Sequence, residues 1–147
     1  MTKKKVLVLC TGNSCRSQIA EGYLQHFANG YLQHFANDKA EIFSAGIEAH
    51  GVNPGAVATM KEDGLDISKQ TSNNINEYTD IEFDFVITVC DNAKERCPFF
   101  STKAKKFHYN FPDPAKATGT AQEILQQFGS VRKLIKDYCK QFVADNL

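Results

Sequence analysis

The sequence predicts an α/β fold: one domain over residues 1–147, built on a parallel four-stranded sheet with helices on both faces. Two observations predict it. Four short segments, at 5–10, 41–45, 84–90 and near 105–109, read as strands. Helical patterns separate them, at 17 to about 36 with a possible break, 54–63 and 121–143, and strands alternating with helices indicate a parallel sheet. A third observation sets the scale: 147 residues make one domain with room for a full core.

The first strand is Val6-Leu7-Val8-Leu9, apolar without alternation, as a strand covered on both faces requires. Cys10-Thr11-Gly12-Asn13-Ser14-Cys15-Arg16-Ser17 follows, and Gln18-Ile19-Ala20-Glu21 reads as the first turn of a helix. A loop between a strand end and a helix start aims several backbone N–H groups at one spot, where the helix dipole adds positive potential. Such a nest binds a tetrahedral oxyanion. The segment Thr11, Gly12, Asn13, Ser14, Cys15 and Arg16 is therefore the predicted cradle, and the Arg16 guanidinium is a planar fork for two of the anion's oxygens. Cys10 stands at the mouth, where the same field lowers a thiol pKa and produces a thiolate nucleophile. Cys-x5-Arg alone is a weak signal. The strand before it, the helix after it, Gly12 within it and Ser17 beside Arg16 make it specific. Cys15 reads as a small filler within the loop, with no catalytic role.

The first helix carries an exact repeat. Gly22-Tyr23-Leu24-Gln25-His26-Phe27-Ala28-Asn29 is followed at once by the same eight residues, Gly30 to Asn37. Solenoid repeats are longer and more numerous, so this reads as a tandem duplication, recent or engineered. Eight residues advance a helix by roughly 12 Å and turn it about 80° beyond two full turns. The apolar stripe would rotate by about 160° across both copies, more than one core face can bury. Three arrangements follow. The first copy fills the helix socket and the second lengthens the connection; or the second fills it and displaces the loop; or an extended helix offers Tyr31, Leu32 and Phe35 to another chain in a dimer. The first is favoured because extra loop length costs little, and Gly30 permits a break.

Phe85-Val86-Ile87-Thr88-Val89 predicts a later buried strand that ends at Cys90. Cys97 follows across the polar segment 91–96, which reads as an exposed loop or short helix. A disulfide between the two would require backbone movement, and a movable pair beside a nucleophilic cysteine suggests a thiol relay. No Cys-x2-Cys or His-x3-His spacing supports a zinc site. His50 and His108 are isolated, and Cys139 has the spacing of a core residue in the last helix. Phe111-Pro112-Asp113-Pro114 holds a carboxylate in a rigid turn, which makes Asp113 the candidate general acid.

Lysine plus arginine equals aspartate plus glutamate at 17 each, so no broad field for nucleic acid or a membrane is expected. Lys103, Lys105 and Lys106 read as a solvated edge. Lys3-Lys4-Lys5 precedes too few apolar residues for a signal sequence, and an odd number of cysteines, five, fits a reducing cytoplasm.

These motifs together resemble the low-molecular-weight tyrosine phosphatase fold, and more closely the thioredoxin-coupled arsenate reductases built on it. The resemblance rests on Cys10 to Ser17, Ser44-Ala45-Gly46-Ile47-Glu48, His50-Gly51-x-Asn53-Pro54, Asp66-Ile67-Ser68, Thr88-Val89-Cys90, Cys97-Pro98 and Asp113-Pro114-Ala115, in the family's order. It implies a cytoplasmic enzyme that reduces arsenate to arsenite through Cys10, Cys90 and Cys97, with thioredoxin as electron donor. It further implies Ser17 donating to the Cys10 sulfur, Asp113 as acid, and potassium at Asn13, Glu21, Ser44 and Thr71. Three positions depart from the pattern. Asn73 stands where an Asp ligand is expected, Pro112 replaces a second Asp, and Ala115-Lys116 replace the paired tyrosines of the phosphatases. The alternatives are a tyrosine phosphatase, or a duplication variant with impaired activity.

Overall fold

The computed structural model describes residues 4–30, 40–90 and 103–147. Cys97 and the second repeat copy beyond Gly30 lie outside them. Four parallel strands, β1 (Lys4–Cys10), β2 (Ala40–Gly46), β3 (Phe85–Thr88) and β4 (Lys105–His108), form one sheet in the order β2-β1-β3-β4. The α-helices are α1 (Arg16–Asn29), α2 (Pro54–Glu62) and α3 (Ala121–Asn146).

β1 sits inside the sheet and its alternate residues feed two cores, which explains its unbroken apolar run. Val6 and Val8 join the core that holds Ile19 and Tyr23 of α1, Met60 of α2, and Ile135 and Cys139 of α3. Leu7 and Leu9 face the other way, against Ala45, Phe83 and Val86, with Ile75 and Tyr78 of a single 3-10 turn packed over them. Among the described residues the three α-helices share the first face and the 3-10 turn covers the second. Cys139 is buried as its spacing predicts. Lys105 and Lys106 lie exposed on the edge strand β4, where charge discourages pairing with another chain.

The chain leaves β1 toward β2 on one side and later places β3 on the other. This is the switch point of an open α/β sheet, and the crevice beyond the strands' carboxyl ends is where such sheets bind ligands. β1 ends there at Cys10.

Several boundaries differ from the sequence reading, α3 among them, which runs to Asn146 rather than 143. β3 closes at Thr88, not residue 90, although the Val89 N–H still donates to Leu9 O at 2.9 Å. α1 ends at Asn29 instead of reaching residue 36. Gly30 takes the left-handed conformation at φ 82° and its N–H caps His26 O, which closes the helix as a C-terminal glycine does. The Asn29 amide then pairs with the backbone of Ala40 in both directions. Its Nδ2 donates to Ala40 O at 2.9 Å, and Ala40 N–H donates to its Oδ1 at 3.1 Å. The first copy therefore fills the helix: Tyr23, Leu24 and Ala28 are buried, and Asn29 is fastened to the start of β2.

Candidate active site

The loop from Cys10 to Ser17 is fixed by its carbonyls. Thr11 O accepts from Glu48 N–H at 3.1 Å, Gly12 O from His50 N–H at 3.0 Å and Ser14 O from Asn53 N–H at 3.1 Å. Asn13 O accepts from Gln18 Nε2 at 3.0 Å and Ser72 Oγ at 2.8 Å. Cys15 O accepts from Ile19 N–H as α1 begins. A trans peptide points its N–H opposite to its carbonyl. With the carbonyls of Thr11 to Cys15 drawn outward, the N–H groups of Gly12 to Arg16 face the hollow of the loop.

The start of α1 is built to match. Cys15 provides no side-chain cap, and the first turn holds no acidic residue. The other two helices are capped in the ordinary way, α2 by the Asn53 side chain and α3 by a reciprocal Thr120–Glu123 pair. An uncapped helix start leaves its N–H groups and positive dipole end for an anion.

Asn13 makes the tight turn, with φ 47° and complete burial. Its Nδ2 donates to Ser17 Oγ at 2.8 Å and its Oδ1 accepts from Asn73 N–H at 2.7 Å. The Ser17 hydroxyl thus accepts from Asn13 and keeps its own proton to donate. Gln18 Nε2 also donates to Thr71 O at 3.0 Å, tying the loop to residues 71–73.

Arg16 is buried, and its Nη1 donates to Phe111 O at 3.2 Å. Its Nη2 stands 3.6 Å from Asp113 Oδ2. The turn that holds Asp113 is thereby set beside the Cys10–Ser17 loop from far along the chain. Asp113 Oδ1 accepts from Ala115 N–H at 3.0 Å, which fixes the carboxylate at the start of a 3-10 turn. Phe111 anchors the segment in a ring cluster, 4.5 Å from Tyr109 and 5.9 Å from Tyr138 between ring centroids.

Cys10 and Cys15 are both buried thiols. Burial first, then the Asp113 charge, pushes the Cys15 thiol up to about 12, so it stays protonated and fills space. Cys90 is fully buried and takes part in a disulfide. β3 lies directly beside β1, with Leu9 opposite Thr88, so Cys10 and Cys90 emerge from neighbouring strands at the same end of the sheet. Continuing that register sets residue 89 opposite Cys10, with Cys90 the next residue along.

The residues expected to hold potassium fall near one another in two groups. The Glu21 carboxylate accepts from Ser44 Oγ at 2.5 Å, and burial pushes it up to about 7 despite that hydrogen bond and another from Gln25. Asn13 and Thr71 both bond to Asn73, Thr71 Oγ1 donating to its Oδ1 at 2.8 Å. One carboxylate among neutral oxygens is a donor set suited to a weakly charged cation.

Sequence reasoning assigned no role to Gln18, Glu48, His50, Asn53 or Ser72, and named Asn73 only as an altered cation ligand, whereas all six hold the loop. Five of these six come from segments more than 30 residues downstream, and no local spacing signals them. The Glu48 and His50 motifs were visible without a role.

A cysteine-headed oxyanion loop at the switch point of a parallel sheet defines the class. The chain belongs to the low molecular weight phosphotyrosine protein phosphatase family, whose sequence profile matches residues 5–147. It is 46% identical over 142 residues to the arsenate reductase of Shouchella clausii (strain KSM-K16), covering 97% of this chain and 96% of that protein. It is 44% identical over 142 residues to the arsenate reductase of Bacillus subtilis (strain 168), with the same coverage. A solved arsenate reductase in its oxidised state matches with TM-score 0.76 and 31% identity, over 97% of this chain and 98% of that one.

Proposed function

We propose that this protein reduces arsenate to arsenite by a thiol relay, with thioredoxin as the electron donor. The observation that carries the reading is the second cysteine: Cys90 lies two residues past the end of β3, the strand beside β1, and is itself engaged in a disulfide. Hydrolysis of a phosphate ester needs no such neighbour. The similarity to arsenate reductases over nearly the whole chain supports the same reading. So does Ala115-Lys116 after the acid, where a tyrosine-gripping pair would serve a phosphatase.

The loop N–H groups and Arg16 hold arsenate. Ser17 donates to the Cys10 sulfur and favours its thiolate. Cys10 attacks arsenic, an arsenic–oxygen bond breaks, and Asp113 gives its proton to the departing oxygen, which leaves as water. The Cys90 thiolate attacks the Cys10 sulfur. The sulfur–arsenic bond breaks with its electron pair passing to arsenic, which leaves as arsenite, and a Cys10–Cys90 disulfide remains. Cys97 attacks Cys90, releasing the Cys10 thiolate and forming a Cys90–Cys97 disulfide, which two electrons from thioredoxin reduce. Potassium at Asn13, Glu21, Ser44 and Thr71 would neutralise the buried Glu21 carboxylate; no step runs through it.

Single-turnover arsenite release with peptide mapping of disulfides tests the relay. Cys10→Ser should release none. Cys97→Ser should release one equivalent and accumulate the Cys10–Cys90 disulfide. Multiple turnovers by Cys97→Ser with thioredoxin would contradict the scheme.

A further inference from the structure

We propose that His50 is a positioning residue for the oxyanion loop, holding the Gly12 peptide so that the Gly12 and Asn13 N–H groups converge on the bound anion. The inference rests on the loop as an oxyanion cradle and not on which oxyanion is reduced.

The first observation is why residue 12 is glycine. The left-handed position in this loop belongs to Asn13, and Gly12 is not among the glycines with positive φ. Its own backbone therefore does not demand glycine. The space does. A Cβ on Gly12 would stand 2.6 Å from His50 Nδ1, 3.1 Å from Cε1 and 3.2 Å from Cγ. The imidazole ring occupies the place of the missing side chain.

The second observation is that the same residue grips the same peptide from the backbone. His50 N–H donates to Gly12 O, two residues after Glu48 N–H donates to Thr11 O. These two bonds orient the peptides whose N–H groups belong to Gly12 and Asn13, the nearest of the cradle to Cys10. The third is that the ring is itself fixed, since His50 Nε2 is hydrogen-bonded to Glu48 Oε2. Burial does not explain the ring's placement, because the His50 side chain is 56% exposed. The Glu48–His50 segment thus acts as a clip: two N–H groups hold the carbonyls, the ring covers Gly12, and the Glu48 carboxylate holds the ring.

An N–H group that grips the oxyanion before and during attack contributes equally to both states. Its misplacement raises KM and leaves kcat nearly unchanged. A residue that only stabilised the fold would not produce that split.

The test compares the intact protein with His50→Ala, Gly12→Ala and the double variant, reading inorganic phosphate affinity by calorimetry and arsenate KM and kcat. His50→Ala should weaken phosphate binding and raise arsenate KM about five-fold, the scale of one ordinary net hydrogen bond. Gly12→Ala should weaken phosphate about 100-fold, because the ring drives the loop out of place. In the double variant the added methyl should cost less than about two-fold beyond His50→Ala, because close neighbours couple. An unchanged phosphate affinity in His50→Ala overturns the proposal, as does equal damage from Gly12→Ala with and without the ring. If the Gly12 variants do not fold, Glu48→Ala decides: it should raise arsenate KM about two-fold at constant kcat, as a partly freed ring would, and an unchanged KM overturns the proposal. Phosphate binding with no arsenate turnover in the intact protein contradicts arsenate reduction and leaves the His50 coupling measurable. Binding of neither anion overturns both.

Discussion

The two ends of α1 are held in opposite ways. At its start the helix has no side-chain cap, and the loop before it spends its carbonyls outward on Glu48, His50, Asn53, Gln18 and Ser72, leaving N–H groups for an anion. At its finish every device closes the chain: Gly30 turns left-handed, and the Asn29 amide locks onto Ala40. One end is left open to act, and the other is sealed. Extra chain introduced beyond the sealed end lengthens a connection, at an entropy cost that grows only slowly with length. The same insertion at the open end would move Cys10 against Arg16.

The largest expected break in this contrast comes from the open end. Asp113→Asn should lower kcat for arsenate about 100-fold, the usual scale for a general acid, while the melting temperature stays near that of the intact protein. A kcat within two- or three-fold would remove Asp113 from the chemistry, despite its place 3.6 Å from Arg16.

The sealed end gives the mirror result. Asn29→Ala loses two hydrogen bonds to Ala40 and should cost about 1–2 kcal/mol in chemical unfolding. Arsenate KM and kcat should not move. A raised KM would mean that strain at the far end reaches the loop, and the two ends would no longer be separable.

The smallest effect sharpens the middle of the helix. Glu21 sits between the ends, pushed up to about 7 by burial. Its folded pKa lies above its unfolded one, so the folded state holds the extra proton. That stability is present at pH below the ordinary carboxylate range and is lost as pH rises toward 7. Thermal melts between pH 5 and 8 should show a fall in the intact protein that Glu21→Gln flattens. Equal slopes would show that Glu21 ionises without penalty.

The sheet was readable because β1 carries uninterrupted apolar residues and its two faces, Val6/Val8 and Leu7/Leu9, each meet a core. The placement of Cys10, Arg16 and Asp113 in loops was readable because strand-loop-helix order and a rigid Asp-Pro turn are local patterns. The clip from Glu48 to Asn53 and the braces Ser72 and Asn73 were not. They act through backbone N–H groups and packing distances that no side-chain spacing encodes. The helix end was legible only as a possible break at Gly30. Both copies have the same helical pattern, and the left-handed turn at Gly30 together with the tertiary partner of Asn29, the Ala40 backbone, sets where the helix stops.

The most direct measurement is arsenate-dependent NADPH consumption with thioredoxin and its reductase, comparing the full chain with a version lacking Gly30 to Asn37. That deletion leaves Asn29 joined to Asp38, two residues before Ala40. The account predicts equal turnover, because the loop depends on the open end of α1 and on its braces from residues 48–53 and 72–73, not on the sealed end. Activity in the shortened version only would contradict the separation of the two ends, and inactivity in both would contradict arsenate reduction itself.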